Sequence, residues 1–324
     1  MKILVRVPNW IGDSILSIPA IQGLSASGRN EVTVIAHERV KEIFESVEEV
    51  NRILSFEKGF PFWIGLRKER YDLGVLFPFS FSSAFLLALS GARVRVGYDT
   101  EGRGIFLTHP IPLSKDYRKH HLIETYLEIP RSLGMITDGG EPRVSISSDA
   151  PETIPYLHRT WNGLPLLIGI GPEAAYGVSK RWGRYPELLN RLHDYGDVVV
   201  LGSGEGEFPE TSHDSRINDL RGKTTLKETL SILKRCKILI SNDSGLGHLA
   251  SAVGTPVLSI FGSTSPHWTR PLGSRNRVIY KRLWCSPCFA RTCRFRTYAC
   301  LEEISVEEVL KVVEEMMEIN IEKE

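Results

Sequence analysis

Short apolar runs alternate with amphipathic stretches along the first half of the chain. KILVRV (2–7), VTVIA (32–36), NRILSF (51–56), DLGVLF (72–77) and RVRVGY (93–98) are brief, continuous and rich in branched apolar residues. That is the pattern of strands covered on both faces. Between them the spacing predicts helices at about 14–26, 38–47, 61–69 and 80–90, with another at 120–134. The second half repeats the alternation: LPLLIGIG (164–171), DVVVLGS (197–203), KILISND (237–243) and TPVLSIFG (255–262) are strand-like, with helices near 184–194, 225–235 and 245–253. Strand and helix in turn argue for parallel sheets with helices on both sides. DGGEPRVSISSDAPETIP (138–155) is rich in Gly, Pro, Ser and Asp and reads as a linker. The 324 residues suffice for about two domains. The expectation is an α/β chain of two doubly wound domains, 1–150 and 151–324, facing each other across a cleft. Such sheets bind ligands at the carboxyl ends of their strands.

Composition narrows the class. With 42% apolar and 24% charged residues the chain is an ordinary globular sequence, not a disordered chain, a coiled-coil rod or a collagen-like fibre. Forty Lys/Arg against 39 Asp/Glu leave a net charge of +1, which predicts no global attraction to nucleic acid or membrane. Arg6 and Asp13 interrupt the stretch where a signal peptide needs an apolar core, so a cytoplasmic protein is expected. Leu73 to Ala92 carries no charge and is about as long as a bilayer span. Pro78 and four serines break it, so it reads as a strand and a short buried helix, with a lipid-touching surface as the alternative.

Charge is segregated near the end. Residues 263–301 hold eight Lys/Arg and no acid, whereas 302–324 hold nine Glu and two Lys. The acidic tail aligns Val306, Val309, Leu310, Val313 and Met317 on one helical face, expected to dock back on the protein. The basic stretch suits an anionic ligand.

Three strand-to-helix loops carry candidate chemistry. In PNWIGDS (8–14), Asp13 or Ser14 can cap the next helix, and Asp13 can also accept a proton from an incoming hydroxyl. In GPEAAYGVSKRW (171–182), Lys180 and Arg181 either clamp a diphosphate or form an exposed basic pair. In SNDSGLGHLASAVG (241–254), Ser244, Gly245 and the free N–H groups of a helix start make an anion site. Asp243 either caps or binds a sugar hydroxyl there, and His248 is either a core histidine or faces the phosphate. Glu205 and Glu207, after DVVVL, are candidates for ribose hydroxyls or are helix-start carboxylates.

Four of the five cysteines, Cys285, Cys288, Cys293 and Cys300, fall within sixteen residues (CSPCFARTCRFRTYAC), while Cys236 stands apart as a buried apolar residue. The C-x2-C-x4-C-x6-C spacing is compatible with a structural zinc, with disulfides or with unlinked thiols. A zinc-stabilised nucleic-acid site is the rival it suggests, given the basic neighbours.

PNWIGD, SKRW, NDSGLGHLASAVGTPVLSIFGSTSP and CSPCFARTC together resemble glycosyltransferase family 9, the ADP-heptose:lipopolysaccharide heptosyltransferases, most of all their heptosyltransferase II branch. The resemblance implies a GT-B fold of two Rossmann-like domains. The amino-terminal one would take a lipid A–Kdo–heptose acceptor and the carboxy-terminal one ADP-heptose. It implies inverting heptosyl transfer without a catalytic metal or other cofactor, at the cytoplasmic face of the inner membrane, with peripheral membrane contact through the acceptor. A final helix, 305–318, would cross back to the first domain. By this resemblance Asp13 is the general base, Lys180 binds the diphosphate, and Asp243, Ser244, Gly245 and His248 form the donor motif. Ser244 stands where some members have Thr. Arg103, Arg118, Lys119, His120 and His121, or the 270–296 stretch, are candidates for the anionic groups of the acceptor. A GT-B relative with another nucleotide sugar or glycan acceptor is the remaining alternative.

Overall fold

A computed structural model describes residues 1–26, 28–137, 139–146, 160–161, 164–192, 194–204 and 216–321. It divides into two units, Met1–Ser145 and Ile146–Glu324.

The first unit alternates β1 (Lys2–Arg6), α1 (Ile11–Ser25), β2 (Glu31–Ala36), α2 (Glu38–Phe44), β3 (Arg52–Ser55), α3 (Phe60–Gly65), β4 (Leu73–Leu76), α4 (Phe81–Leu89), β5 (Val94–Asp99), β6 (His109–Pro112) and α5 (Leu122–Ser132). Its sheet is parallel, in the order β3-β2-β1-β4-β5-β6. The central strands are mostly apolar because helices cover both faces. Leu4, Ile35 and Leu76 of the sheet pack with Trp63 of α3 and Ala84 and Leu87 of α4.

The second unit opens with a two-residue antiparallel pair, β7 (Thr160–Trp161) and β8 (Leu164–Pro165). Then come β9 (Leu167–Gly171), α6 (Tyr185–Leu192), β10 (Asp197–Val200), β11 (Ile217–Asp219), α7 (Leu226–Arg235), β12 (Ile238–Asn242), α8 (Gly245–Ala252), β13 (Val257–Phe261), α9 (Pro266–Thr269), β14 (Arg277–Tyr280), α10 (Ala299–Glu302) and α11 (Val306–Ile321). Helix α7 shows how locally these elements are specified: Thr225 accepts from the Glu228 N–H while Glu228 accepts from the Thr225 N–H, a reciprocal cap over an amphipathic run. The second sheet runs β11-β10-β9-β12-β13-β14, also parallel.

Both sheets thus follow the order 3-2-1-4-5-6. In each, the chain reverses direction of travel beside its first strand, between β1 and β4 and between β9 and β12. Ligands enter such folds at that reversal, outside the carboxyl ends of the strands. Asp13 follows β1 and Lys180 follows β9, so the two candidate residues hold corresponding places in the two units.

Besides the two-residue β7, three strands of the six-stranded sheets lay outside the sequence expectation: β6, β11 and β14. All three are sheet edges. An edge strand is covered less completely and needs no unbroken apolar run. β6 even carries Pro110 and Pro112, which only an edge tolerates.

In the final helix, Val306, Val309, Leu310, Val313, Met316 and Met317 are buried with Trp182, Tyr185, Leu188 and Ile240, so the described face of α11 packs in the core of the second unit. Among the described residues no helix is long and apolar enough to cross a membrane.

Candidate functional site

In the second unit, side chains at strand ends fold one loop onto two others. Asn242, the last residue of β12, donates from Nδ2 to the Pro172 carbonyl at 2.6 Å and accepts the Trp182 N–H at 3.1 Å, gripping both ends of loop 172–182. Gly262, just past β13, lies so close that an added Cβ would stand 2.6 Å from the Ser179 carbonyl oxygen. Ser263 follows, donating its N–H to that same oxygen at 3.3 Å, with the two serine hydroxyls 3.0 Å apart.

This stitching delivers Lys180. Its Nζ sits 2.5 Å from Asp243 Oδ2, and Thr264 donates its hydroxyl to the same oxygen at 2.5 Å. The three side chains come from the ends of three adjacent strands, β9, β12 and β13. The lysine side chain is 13% exposed and the aspartate 4%, so each charge needs the other. The ammonium also stands 5.0 Å from the centre of the Tyr176 ring. A partly exposed cation held in place by a buried carboxylate is set to meet an anion with little side-chain ordering left to lose.

Helix α8 begins directly after Asp243. Its N-cap, Ser244, is extended and makes no side-chain cap bond. The Ser244 Oγ is buried with no hydrogen-bond partner, a costly condition for a hydroxyl. An anion at the helix start would satisfy that hydroxyl and the N–H groups together. His248 is buried one turn into the helix. Arg181, the other half of the expected clamp, is exposed and donates to the Ala174 carbonyl at 3.2 Å.

Glu205 and Glu207 lie outside the described residues. Sequence reasoning missed another carboxylate, Glu173. It accepts the Ser203 N–H at 2.6 Å, the Ser203 hydroxyl at 2.8 Å and the Gly204 N–H at 3.1 Å, and it stands 3.5 Å from Arg221, which also pairs with Asp219 at 2.8 Å. Glu173 therefore shapes the turn after β10. Its position two residues beyond the last glycine of β9 was the available signal.

In the first unit, Arg6 organises the turn that leads to Asp13. Arg6 is buried and donates to Asn9 Oδ1 at 2.5 Å and the Ile35 carbonyl at 3.3 Å, and it bonds the Val7 carbonyl. Its guanidinium lies 4.1 Å from the Phe56 ring centre, and burial lowers its pKa to about 10. The capping expectation is corrected here. The N-cap of α1 is Trp10, without a side-chain bond, and the Ser14 hydroxyl donates back to the Pro8 carbonyl at 3.0 Å. Asp13 instead sits in the first turn, where the helix dipole favours its ionised form. Its charge adds to burial in pushing the Tyr126 hydroxyl well above its ordinary pKa.

Arg103 is also corrected. It is fully buried and donates to the carbonyls of Tyr98 at 2.6 Å, Pro78 at 2.5 Å and Ser80 at 3.2 Å, so it braces the loops after β4 and β5 and presents nothing to an acceptor. Lys119 pairs with Asp116 at 3.0 Å, and His121 caps α5. Arg118 lies against the Tyr117 ring, and His120 is exposed.

The four clustered cysteines line a cavity of about 660 Å³ together with Ser179, Ser263 and Trp284. They are free thiols, as is buried Cys236. Among the described residues no three His, Cys, Asp or Glu side chains are placed to hold a metal ion, so the structural-zinc expectation is not supported. The sulfurs differ in character. Backbone N–H groups, that of Tyr298 foremost, pull the Cys293 pKa down, whereas burial and the other three sulfurs push Cys300 up to about 11. The backbone of the cysteine segment is tied to the Lys180 loop: the Ser179 N–H donates to the Arg291 carbonyl at 3.3 Å and the Phe289 N–H to the Ser263 carbonyl at 2.8 Å.

Comparison with known proteins bears on this geometry directly. The model of glycosyltransferase family 9 (heptosyltransferase) matches residues 60–299. Lipopolysaccharide heptosyltransferase 2 of Escherichia coli K12 is 30% identical over 312 residues, covering 86% of this chain and 88% of that protein. Lipooligosaccharide heptosyltransferase 2 of Haemophilus influenzae is 29% identical over 308 residues, with the same shares covered. The solved structure of E. coli ADP-heptose lps heptosyltransferase II superposes with a TM-score of 0.81 at 25% identity, covering 99% of both chains. The two doubly wound units are those of a GT-B transferase, and the nucleic-acid-binding alternative falls away. A cation and an unsatisfied hydroxyl at the strand reversal suit a nucleotide-sugar diphosphate, and the chain that builds them belongs to glycosyltransferase family 9, the heptosyltransferases.

Proposed function

We propose that this glycosyltransferase moves heptose from ADP-heptose to the heptosylated lipid A–Kdo inner core of lipopolysaccharide, as a heptosyltransferase II does, at the cytoplasmic face of the inner membrane. The observation that carries the proposal is the Lys180–Asp243–Thr264 cluster beside the partnerless Ser244 hydroxyl.

In this mechanism the ADP diphosphate lies between the Lys180 ammonium and the N–H groups that open α8. Ser244 donates its hydroxyl to a phosphate oxygen. As the anomeric C–O bond breaks, negative charge collects on the departing diphosphate, and these fixed donors stabilise it without having to reorganise. An acceptor hydroxyl attacks the anomeric carbon from the opposite face, inverting it, while the Asp13 carboxylate takes the hydroxyl proton. Asp243 does not touch the reacting atoms; it positions Lys180.

Two measurements test this. Asp13→Ala is expected to lower transfer by roughly 10²–10⁴ while leaving ADP affinity intact, as loss of a general base does. Near-normal turnover would remove Asp13 from the role. Offering ADP-heptose with heptosylated and unheptosylated lipid A–Kdo acceptors tests the branch: transfer to the heptosylated acceptor alone is expected, and exclusive use of the other would assign the chain to the first heptose addition.

A further inference from the structure

The uncharged run Leu73–Ala92 ends in α4, which is apolar on its outward as well as its inward side apart from Ser82 and Ser83. Its inward residues Ala84 and Leu87 are buried. Its outward positions, Phe81, Phe85, Ala88 and Leu89, recur at helical spacing and stay partly or largely open to solvent. α3 and the turn Arg103–Phe106 extend the same surface. Phe60 meets Phe85 at 5.9 Å between ring centres, Phe85 meets Phe106 at 5.3 Å, and Phe106 meets Phe81 at 5.2 Å. Ile64 follows Phe60 by one turn of α3, and Ile105 precedes Phe106. On these elements Phe60 is 56% exposed, Ile64 49%, Phe81 43% and Ile105 79%. Isolated exposed apolar residues need no explanation; a connected aromatic array does.

Cations border the array. Lys58 precedes Phe60, and Arg67 and Lys68 follow α3, all three exposed. Arg67 reaches the carboxyl end of α4, donating to the Leu89 carbonyl at 3.1 Å. Arg95 sits under the far edge, donating to the carbonyls of Phe106 and Ala92 at 2.7 and 2.8 Å. Carboxylates of the same segment are engaged within the protein. Asp72 accepts the Lys2 N–H, Glu69 pairs with Arg52, Asp99 accepts the Gly104 N–H and Glu101 the Phe81 N–H. Glu57 remains beside Lys58. Phenylalanine rings framed by lysine and arginine match the boundary between acyl chains and anionic headgroups. A second copy of the chain matches less well, since a twofold pairing would bring the same cations onto a surface with no surplus of carboxylates.

We infer that the α3–α4 face of the first unit docks on a bilayer carrying anionic lipid headgroups. The inference rests on the proposed lipid-borne acceptor for its purpose, and it adds the surface through which the enzyme meets that membrane. A net charge of +1 leaves the task to this local array.

Flotation of the full-length protein with phosphatidylcholine vesicles and with mixed phosphatidylcholine–phosphatidylglycerol vesicles tests it. No sugar donor is present, so the outcome is independent of the transferase proposal. The protein is expected to float with the anionic vesicles, less so as salt is raised. The variant Phe60→Ser/Phe81→Ser/Ile105→Ser is expected to lower the partition coefficient by about tenfold or more, since three apolar groups no longer leave water. Lys58→Glu/Lys68→Glu is expected to abolish the preference for anionic vesicles while the rings remain. Because all five side chains are exposed, unchanged thermal unfolding is expected to accompany both results. The inference is overturned if the unaltered protein does not float, or if the triple variant floats equally well. It is likewise overturned if light scattering finds a dimer that the triple variant dissolves while neither protein binds vesicles.

Discussion

At the Lys180 ammonium, one cation answers a buried carboxylate in the free protein and, in the proposed complex, the donor diphosphate. The two roles separate by mutation. Lys180→Ala strands the Asp243 charge, at a cost on the order of 3 kcal/mol, and weakens ADP by at least about tenfold, the lower range for a lost charge-assisted contact. Adding Asp243→Asn removes the stranded charge, so the double variant is expected to regain part of the melting temperature and none of the ADP affinity. Calorimetric titration beside thermal unfolding reads both. Ser244→Ala should behave in the opposite way. Its hydroxyl has no partner to lose in the free protein, so unfolding is expected to be unchanged or slightly later while ADP binding weakens. A fall in stability with intact ADP affinity would make Ser244 a structural residue only.

Among elements, the approach of β13 to the Lys180 loop decides the site's shape. Gly262 permits it, since a methyl group there would press on the Ser179 carbonyl and on Leu301 of α10. Gly262→Ala is expected to cost about 1–3 kcal/mol, the range for overpacking, and to weaken ADP by displacing a lysine three bonds of loop away from any direct contact with the new methyl. Equal ADP affinity in the variant would show that Lys180 tolerates the shift. The interior elements were legible from pattern alone: β4, β9, β12 and β13 are buried along their length and β1 at all but its first residue, and burial on two faces writes itself as a mainly apolar run. The edges β6, β11 and β14 were not legible, because a strand paired on one side needs neither continuous apolarity nor every N–H. The final helix was legible as amphipathic, but its partner was not. An apolar stripe records that something covers it, and only the packing of Val309 and Val313 with Tyr185 and Leu188 shows that the second unit does so.

For the whole molecule, the same strand order occurs twice, and the two candidate residues stand at matching reversals. In the proposed mechanism the first copy of the fold supplies the carboxylate and the second the cluster that meets the diphosphate. Hydrogen exchange should therefore divide by unit. ADP at a hundredfold excess over its dissociation constant adds about 2.7 kcal/mol to whatever it binds, so slowed exchange is expected in β9, β12 and the start of α8, with none in 2–132. Protection confined to the first unit would place the nucleotide on the wrong sheet.

By itself the sequence determined the doubly wound architecture and the three loops that carry Asp13, Lys180 and Asp243. Strand burial and strand-to-helix turns are local matters, legible within a dozen residues. Which side chains in those loops meet was decided only in three dimensions. Lys180 and Arg181 are adjacent and alike in charge, yet one reaches Asp243 and the other the Ala174 carbonyl. Arg103 looked as available as any surface cation and proved to be an internal brace. Tertiary structure decided these because a charged side chain goes where a partner can offset its lost hydration, and nothing in the local pattern says which partner the fold brings near.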